Sequence, residues 1–298
     1  MEGPIRHTLA REGEDVQKNA PVVEPWIAHG EPQPFATVNP HGKSRAILAC
    51  DHASDYIPSR LGNLGLGPED RKRHIAWDIG AAEVAHALSS HLDAPLILSG
   101  YSRLVVDCNR PLNVPDAFAE LSEDTSIPGN IGISVAEKTE RASTFFWPYH
   151  DALHQLIESR LRNSTLPVLV GVHSFTPVYR GVSRPWHVGV HYRLDARAAI
   201  VALAALRRDP QLTVGENEPY KVTLDGDYTA PVHAERRGMP YVLFEIRQDL
   251  IASTTGAQAW ARRLAEVLKL VLDQKSLNSL AAPARDVFEP RYKIGVAP

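Results

Sequence analysis

Four apolar runs in this chain end in groups capable of chemistry, and no other feature limits its fold so strongly. AILAC (46–50) runs into Asp51-His52, RLVVD (103–107) into Cys108-Asn109-Arg110, PVLVGV (167–172) into His173-Ser174, and YVLF (241–244) into Glu245-Ile246-Arg247. Short, continuous apolar runs read as strands buried on both faces. Between them the period changes. Residues 79–92 repeat apolar side chains at Ile79, Ala82, Val84, Ala85, Leu88 and Leu92, the spacing of an amphipathic helix. Strands alternating with helices predict an α/β fold: a single domain with a mixed, mostly parallel central sheet covered by helices on both faces. Such sheets bind ligands in the crevice beyond the carboxyl ends of their strands. The four reactive endings therefore belong, on this reading, to one site.

Further strands are predicted at 95–99 and 187–193. Ser134 with Glu137 has the form of a capping box, so a helix is expected to begin there, to bend or restart at Pro148 and to run to about Asn163. Two more helices are expected, at about 195–208 and 256–273. No long hydrophilic linker interrupts residues 45–275, which read as one catalytic domain. Residues 1–44 read as an N-terminal arm, and 276–298 as a tail packed on the domain. A chain of 298 residues can bury such a core without covalent staples. Its two cysteines, Cys50 and Cys108, are expected to be reduced thiols. A net charge of −3 supplies no basic field for nucleic acid. The acidic N-terminus lacks an apolar signal core, and no apolar run of about 18 residues occurs. A cytoplasmic location without a membrane partner is expected; the oligomeric state is left open.

His52 and Asp55 form a His-x-x-Asp pair, which lets an imidazole and a carboxylate converge from one turn. His173 can add a third ligand from another strand. Two histidines, a carboxylate and an open position make a catalytic zinc set. A loop cap and a turn before Pro58 would account for the same residues. Glu245 ends an apolar strand, where a carboxylate is costly to bury unless paired or functional. It fits a general base acting on an activated water. Its alternative is a salt bridge to Arg247, roughly 7 Å along the same strand face. Asn109 and Arg110 can present an amide and a planar guanidinium to a substrate carboxylate. Arg103 reads as a second anchor or a surface residue, and Arg247 as a further substrate-binding candidate.

The segments CDHASDYIP, HIAWDIGA, YSRLVVDCNRP, IPGN, VGVHSFTP, RPWHVGVHY and FEIRQDLI occur in this order over about residues 46–252. Together they resemble the N-formylglutamate amidohydrolase family. The same core resembles the wider zinc carboxypeptidase and aspartoacylase group, with its phosphorylase/hydrolase-like fold. The resemblance implies one zinc ion per chain, held by His52 and His173 with Asp55 in the place of a ligand glutamate. It also implies a substrate carboxylate at Asn109 and Arg110, and a general base at Glu245. Asp55 is one methylene shorter than the glutamate it would replace. Asp78, in AWDIGA, is a rival ligand or else the N-cap of the helix beginning at Ile79. The activity implied is hydrolysis of N-formyl-L-glutamate, or of a related small anionic N-acyl amino acid, to formate and glutamate. Hydrolysis of another N-acyl or N-carbamoyl amino acid, or binding without turnover, is compatible with the same residues.

Two other histidine pairs compete with this reading. His150 and His154 imitate the zinc helix His-Glu-x-x-His, but Asp151 stands where the base should be and Pro148 lies just before them. His187 and His191 share a strand face but stand roughly 13 Å apart, too far for one ion; His187 is the one expected at the pocket. Neither a phosphate-binding glycine loop nor a Gly-x-Ser-x-Gly elbow is found.

Overall fold

The computed structural model describes residues 25–163 and 165–287. Residues 1–24 of the predicted arm and 288–298 of the predicted tail lie outside the described residues. The strands are β1 (Phe35–Val38), β2 (Ala46–Cys50), β3 (Leu96–Ser99), β4 (Leu121–Ser122), β5 (Thr125–Ser126), β6 (Val168–Phe175), β7 (Val178–Tyr179), β8 (Val182–Ser183), β9 (Val188–His191), β10 (Val214–Glu216) and β11 (Tyr241–Arg247). The α-helices are α1 (Pro68–Arg71), α2 (Ala81–Leu92), α3 (Val135–Arg141), α4 (Trp147–Arg162), α5 (Arg197–Leu206), α6 (Thr229–His233) and α7 (Thr254–Leu272).

One sheet runs in the order β1-β3-β2-β6-β11-β9-β10, and β4 with β5 and β7 with β8 form two small hairpins. The ladders β2–β3, β2–β6, β6–β11 and β9–β10 are parallel, whereas β1–β3 and β9–β11 are antiparallel. This is the mixed, mostly parallel sheet that the alternating pattern predicts. Part of the predicted arm belongs to it, because β1 pairs with the β3 edge. The described part of the tail packs back on the domain through buried Leu277 and through Asp286, which pairs with Arg193. Among the described residues no helix is long and apolar enough to cross a membrane.

Side chains alternate across the sheet. Leu48, Val170, Val172, Phe244 and Ile246 face α2, α5 and α7, where they meet Val84, Leu88, Ala202, Trp260 and Leu264. Ile47, Ala49, Leu169, Tyr241 and Leu243 face the other way, onto Tyr149, Leu153 and Ile157 of α4 and Ala230 of α6. Each large side chain so buried contributes about 2 kcal/mol. The same alternation carries His173 of β6 and Glu245 of β11 onto this second face, paired in register.

Ser134 caps α3 as its spacing predicts, accepting from the Glu137 N–H at 3.1 Å. The restart near Pro148 is a π-helical segment, Ala142–Phe146, followed by α4 with proline in its first turn. Residues 103–107, however, are not a strand. Val105 N–H bonds to Ser102 O and Asp107 N–H to Ala117 O, so the run is a succession of turns. Its Leu104, Val105 and Val106 are buried in a satellite core with Phe118, Phe145 and Phe146. Burial without strand pairing explains their apolarity, and a short apolar run does not distinguish the two cases.

Gly80 precedes α2 at φ +79°, in the left-handed region. A Cβ there would clash with the Ile251 carbonyl oxygen, so glycine lets the start of α2 lie against the chain that leads from β11 to α7. Gly80→Ala is expected to cost about 2 kcal/mol or more, seen as a lower urea midpoint. An unchanged midpoint would contradict this packing.

A buried histidine pair joins α4 to α6. His150 Nε2 lies 2.8 Å from the Cys108 carbonyl, which only accepts, so Nε2 carries the hydrogen. His150 Nδ1 then accepts from His233 Nε2 at 3.0 Å, and both rings are neutral. Burial pulls His150 down to about 4 and holds His233 well below the usual imidazole range. An unfolded histidine gains its proton near pH 6.5. The pair's stabilisation is therefore complete above that pH and is lost as pH falls toward 4. His150 alone should add about 2 kcal/mol of destabilisation between pH 7 and pH 5. The check is the difference in that pH dependence between wild type and His150→Gln/His233→Leu; equal slopes would refute a neutral pair.

Candidate active site

β2 leads through α2 to β3 on one side, and the chain later returns as β6 on the other side of β2. The strand order reverses at β2, so a crevice opens beyond the carboxyl ends of β2 and β6. His52 follows β2, and His173 lies near the end of β6. Both line a cavity of about 520 Å³ together with Asp78, Arg103, Asp107, Arg110 and Glu245. The two hairpins add Glu123, Tyr179 and Arg180 to its wall.

Asp78 stands at the centre. Its backbone N–H bonds to the His52 carbonyl at 2.9 Å, which brings the approach to α2 against the end of β2. Asp78 Oδ2 lies 3.0 Å from His173 Nδ1 and 3.4 Å from His52 Nδ1. The distal ring nitrogens face two further carboxylates. His52 Nε2 lies 2.7 Å from Asp107 Oδ1, and His173 Nε2 lies 3.3 Å from Asp51 Oδ2. An imidazole that donates from Nε2 presents a bare lone pair at Nδ1. A cation would take the place of the Nδ1 protons, and the two Nδ1 atoms and one Asp78 oxygen are placed for it, all within 4.8 Å of one another.

The carboxylate of this group is not the one that spacing predicts. Asp55 is exposed and lies outside it, because the turn after His52 carries Asp55 outward. Asp78 arrives from 26 residues further along the chain, a separation that no local motif encodes. Nor does Asp78 cap α2: Gly80 holds that position, with no side-chain cap.

Asp51, Asp78 and Asp107 are all below 5% exposed, and Arg103 is the guanidinium nearest them. Arg103 binds Asp107 Oδ2 from Nε at 2.9 Å and Nη2 at 2.6 Å, with Nη1 3.7 Å from Asp78 Oδ1. Burial pushes the Asp78 carboxyl up, but the two imidazoles outweigh it and hold the group far below the carboxylate range. Burial pushes His173 down, yet Asp51 and Asp78 outweigh that and raise it well above normal. For His52, burial and Arg103 push down, while Asp107 and Asp78 bring the net shift upward. The carboxylates thus draw protons onto both imidazoles, and a divalent cation can supply that positive charge in the protons' place. Tetrahedral zinc ligands stand roughly 3.3 Å apart, close to the 3.0 and 3.4 Å separations here. The donor set therefore fits zinc: two imidazoles oriented from behind by carboxylates, and a third carboxylate beside them.

Glu245 pairs in register with His173 across β11 and β6. Its Oε2 is buried without a hydrogen-bond partner among the described residues. Burial raises its carboxyl to about 7, against the pull of His173. A carboxylate so poised, in a crevice, is suited to proton transfer. On β9, Gly189 stands opposite Glu245. A Cβ there would clash with the Glu218 carbonyl, so glycine admits the loop that brings Tyr220 and Lys221 to the cavity wall.

The expected substrate anchors divide. Arg110 lines the cavity, and among the described residues no hydrogen bond or close ion pair occupies its guanidinium. Arg103 also lines the cavity but is tied to Asp107. Asn109 is committed elsewhere: its Oδ1 accepts from the Tyr228 and Thr229 N–H groups at 3.0 Å each, and its Nδ2 donates to Asp227 Oδ1 at 3.1 Å. It clamps a wall of the cavity. Arg247 lies outside the cavity lining and binds Asp249 at 2.8 and 3.2 Å, not Glu245. His154 Nδ1 lies 2.6 Å from Arg237 Nη2 while His150 faces His233, so that helical pair makes no metal centre. Of the two strand histidines, His191 lines the cavity, whereas His187 accepts from the Thr213 N–H. Asp51 and Asp107 take roles that spacing does not assign; their signal is adjacency to His52 and to Asn109-Arg110.

A model of the N-formylglutamate amidohydrolase family matches residues 44–252, well over half of the chain. Among solved structures, a gene product of Agrobacterium tumefaciens is 37% identical, with a TM-score of 0.81 over 83% of this chain and 98% of that one. An N-formylglutamate amidohydrolase from Ralstonia eutropha JMP134 is 18% identical, with a TM-score of 0.57 over 80% of this chain and 97% of that one, a likeness of fold. No protein of curated function matches the chain. On the extent of the family match, the chain belongs to the N-formylglutamate amidohydrolase family.

Proposed function

We propose that the chain hydrolyses the amide bond of N-formyl-L-glutamate, or of a closely related small N-acyl amino acid, with one zinc ion held by His52, Asp78 and His173. The observation that carries this reading is the Glu245 carboxylate, set in register with His173 and with its buried Oε2 free of any described partner. An acid kept at this depth for structure alone would be paired. A base awaiting a water proton would not.

A zinc ion so held supplies Lewis acidity, toward an acyl carbonyl and toward a water. Glu245 accepts the proton of the attacking water and returns it to the departing amine nitrogen. Its affinity for protons, near 7, allows both transfers around neutral pH. Arg110 offers its free guanidinium edge to the substrate carboxylate, which sets the scissile amide against Glu245. Arg103, fixed by Asp107, adds positive charge to the same wall. The Asn109 clamp on residues 227–229 shapes the cavity around the substrate. A cavity of about 520 Å³ suits a ligand of amino-acid size.

The test is bound zinc and formate release from N-formylglutamate, measured side by side. Glu245→Gln is expected to lower kcat by about 10³-fold while zinc content is retained. Turnover near that of wild type in this variant would sink the mechanism. The ligand assignment makes a second, separate claim. Asp78→Asn should weaken zinc binding by about 100-fold or more, whereas Asp55→Asn should leave zinc binding and turnover within about threefold of wild type. The opposite pattern would return Asp55 to the ligand set.

A further inference from the structure

We propose that Asp51 is a positioning residue for His173, and that it ties the orientation of this imidazole to the loop that walls the cavity. The inference rests on the zinc reading above. Asp51 directly follows β2 and is 1% exposed. Its Oδ1 accepts two hydroxyls, Tyr149 Oη from α4 at 2.6 Å and Thr229 Oγ1 from α6 at 2.7 Å. Its Oδ2 makes no hydrogen bond among the described residues and lies at ion-pair distance, 3.3 Å, from His173 Nε2. One oxygen is therefore fixed from two helices, and the other is offered to the imidazole alone.

An ionised carboxylate in that place selects the His173 tautomer that carries its hydrogen on Nε2. In the zinc-bound state that tautomer would turn a bare Nδ1 to the ion beside Asp78 Oδ2, which lies 3.0 Å from it. Neither Tyr149 nor Thr229 reaches the zinc donors, so both act on them through Asp51. Thr229 has a second attachment. Its N–H and that of Tyr228 are held by Asn109 Oδ1, and Asn109 Nδ2 holds Asp227, which lines the cavity. The cavity wall and His173 thus share one anchor. A carboxylate that only fastened α4 to α6 would need Oδ1 and no contact from Oδ2 to His173.

The experiment measures zinc affinity by competition with a chromogenic chelator, and the visible bands of the cobalt-loaded protein. Wild type is compared with Asp51→Asn, Thr229→Val and the double variant. Asp51→Asn is expected to weaken zinc binding about 10–100-fold and to shift the cobalt bands. Thr229→Val is expected to weaken zinc binding about threefold by itself and to add nothing to Asp51→Asn, because it acts through Asp51. Wild-type affinity and bands in Asp51→Asn, or additive effects in the double variant, would overturn the proposal. Should Asp51→Asn not fold, Thr229→Val decides: wild-type affinity and bands in that variant overturn the role. If wild type itself binds neither metal, the zinc reading falls and this inference with it. If wild type and Asp51→Asn bind equally well, only the positioning role falls.

Discussion

The meeting of Asp78 Oδ2 with two imidazole Nδ1 atoms, at 3.0 and 3.4 Å, joins the end of β2, the approach to α2 and the end of β6. An ionised carboxylate buried without compensation costs several kcal/mol. These three segments are therefore not free to drift apart. Ser174 strengthens the junction, donating its N–H to Asp78 Oδ2 at 3.3 Å and its hydroxyl to the Ile79 carbonyl at 2.9 Å. The start of α2 is thus held to β6 by the residues that make the site, and Gly80 permits the close approach behind it. Site and fold are here one set of contacts.

The sheet supplies what the cluster does not. Strand alternation sends every second residue of β6 and β11 to the face of α4 and α6, and parallel pairing sets His173 beside Glu245. A slip of one residue in either strand would bring Val172 or Phe244 to that position and take the imidazole or the carboxylate out of the crevice. The apolar neighbours that enforce the register, Val170, Val172, Phe244 and Ile246, belong to the core under α2, α5 and α7. Hydrophobic burial on one face of the sheet therefore determines which chemistry appears on the other.

The sequence made much of this legible, for identifiable reasons. The strands carrying His52, His173 and Glu245 are continuous apolar runs, and their endings point to the crevice because an α/β sheet has its ligand site there. Asp78 was harder to place. Its approach to the site depends on a backbone hydrogen bond to His52 and on a left-handed glycine, neither of which has a period or a spacing. Asp55 satisfied the local motif but points outward. Asn109 lines the cavity, yet its carboxamide is taken up by Asp227, Tyr228 and Thr229, a loop more than a hundred residues away. The turns at 103–107 read as a strand because burial in the satellite core leaves the same apolar signature as pairing does. Positions that follow from periodicity are legible in the sequence. Positions that follow from long-range closure are not.

The same closure assigns the carboxylates different work. Asp78 sits between two imidazoles, which stabilise its charge more strongly than burial opposes it, so it stays a permanent anion. Glu245 is set beside the same groups but with its Oε2 unpaired, and burial outweighs the imidazoles, so its carboxyl rises to about 7. Two acids in one crevice are thereby pushed apart in proton affinity, one held as an anion and the other able to exchange a proton near neutral pH. Were the hydrogen bonds redistributed so that Glu245 was paired and Asp78 was not, Glu245 would become the permanent anion and Asp78 the group that takes up a proton. The division of labour follows from which oxygen each neighbour reaches, and for this chain that is a consequence of the β2–β6–β11 order and of the backbone turn at Gly80.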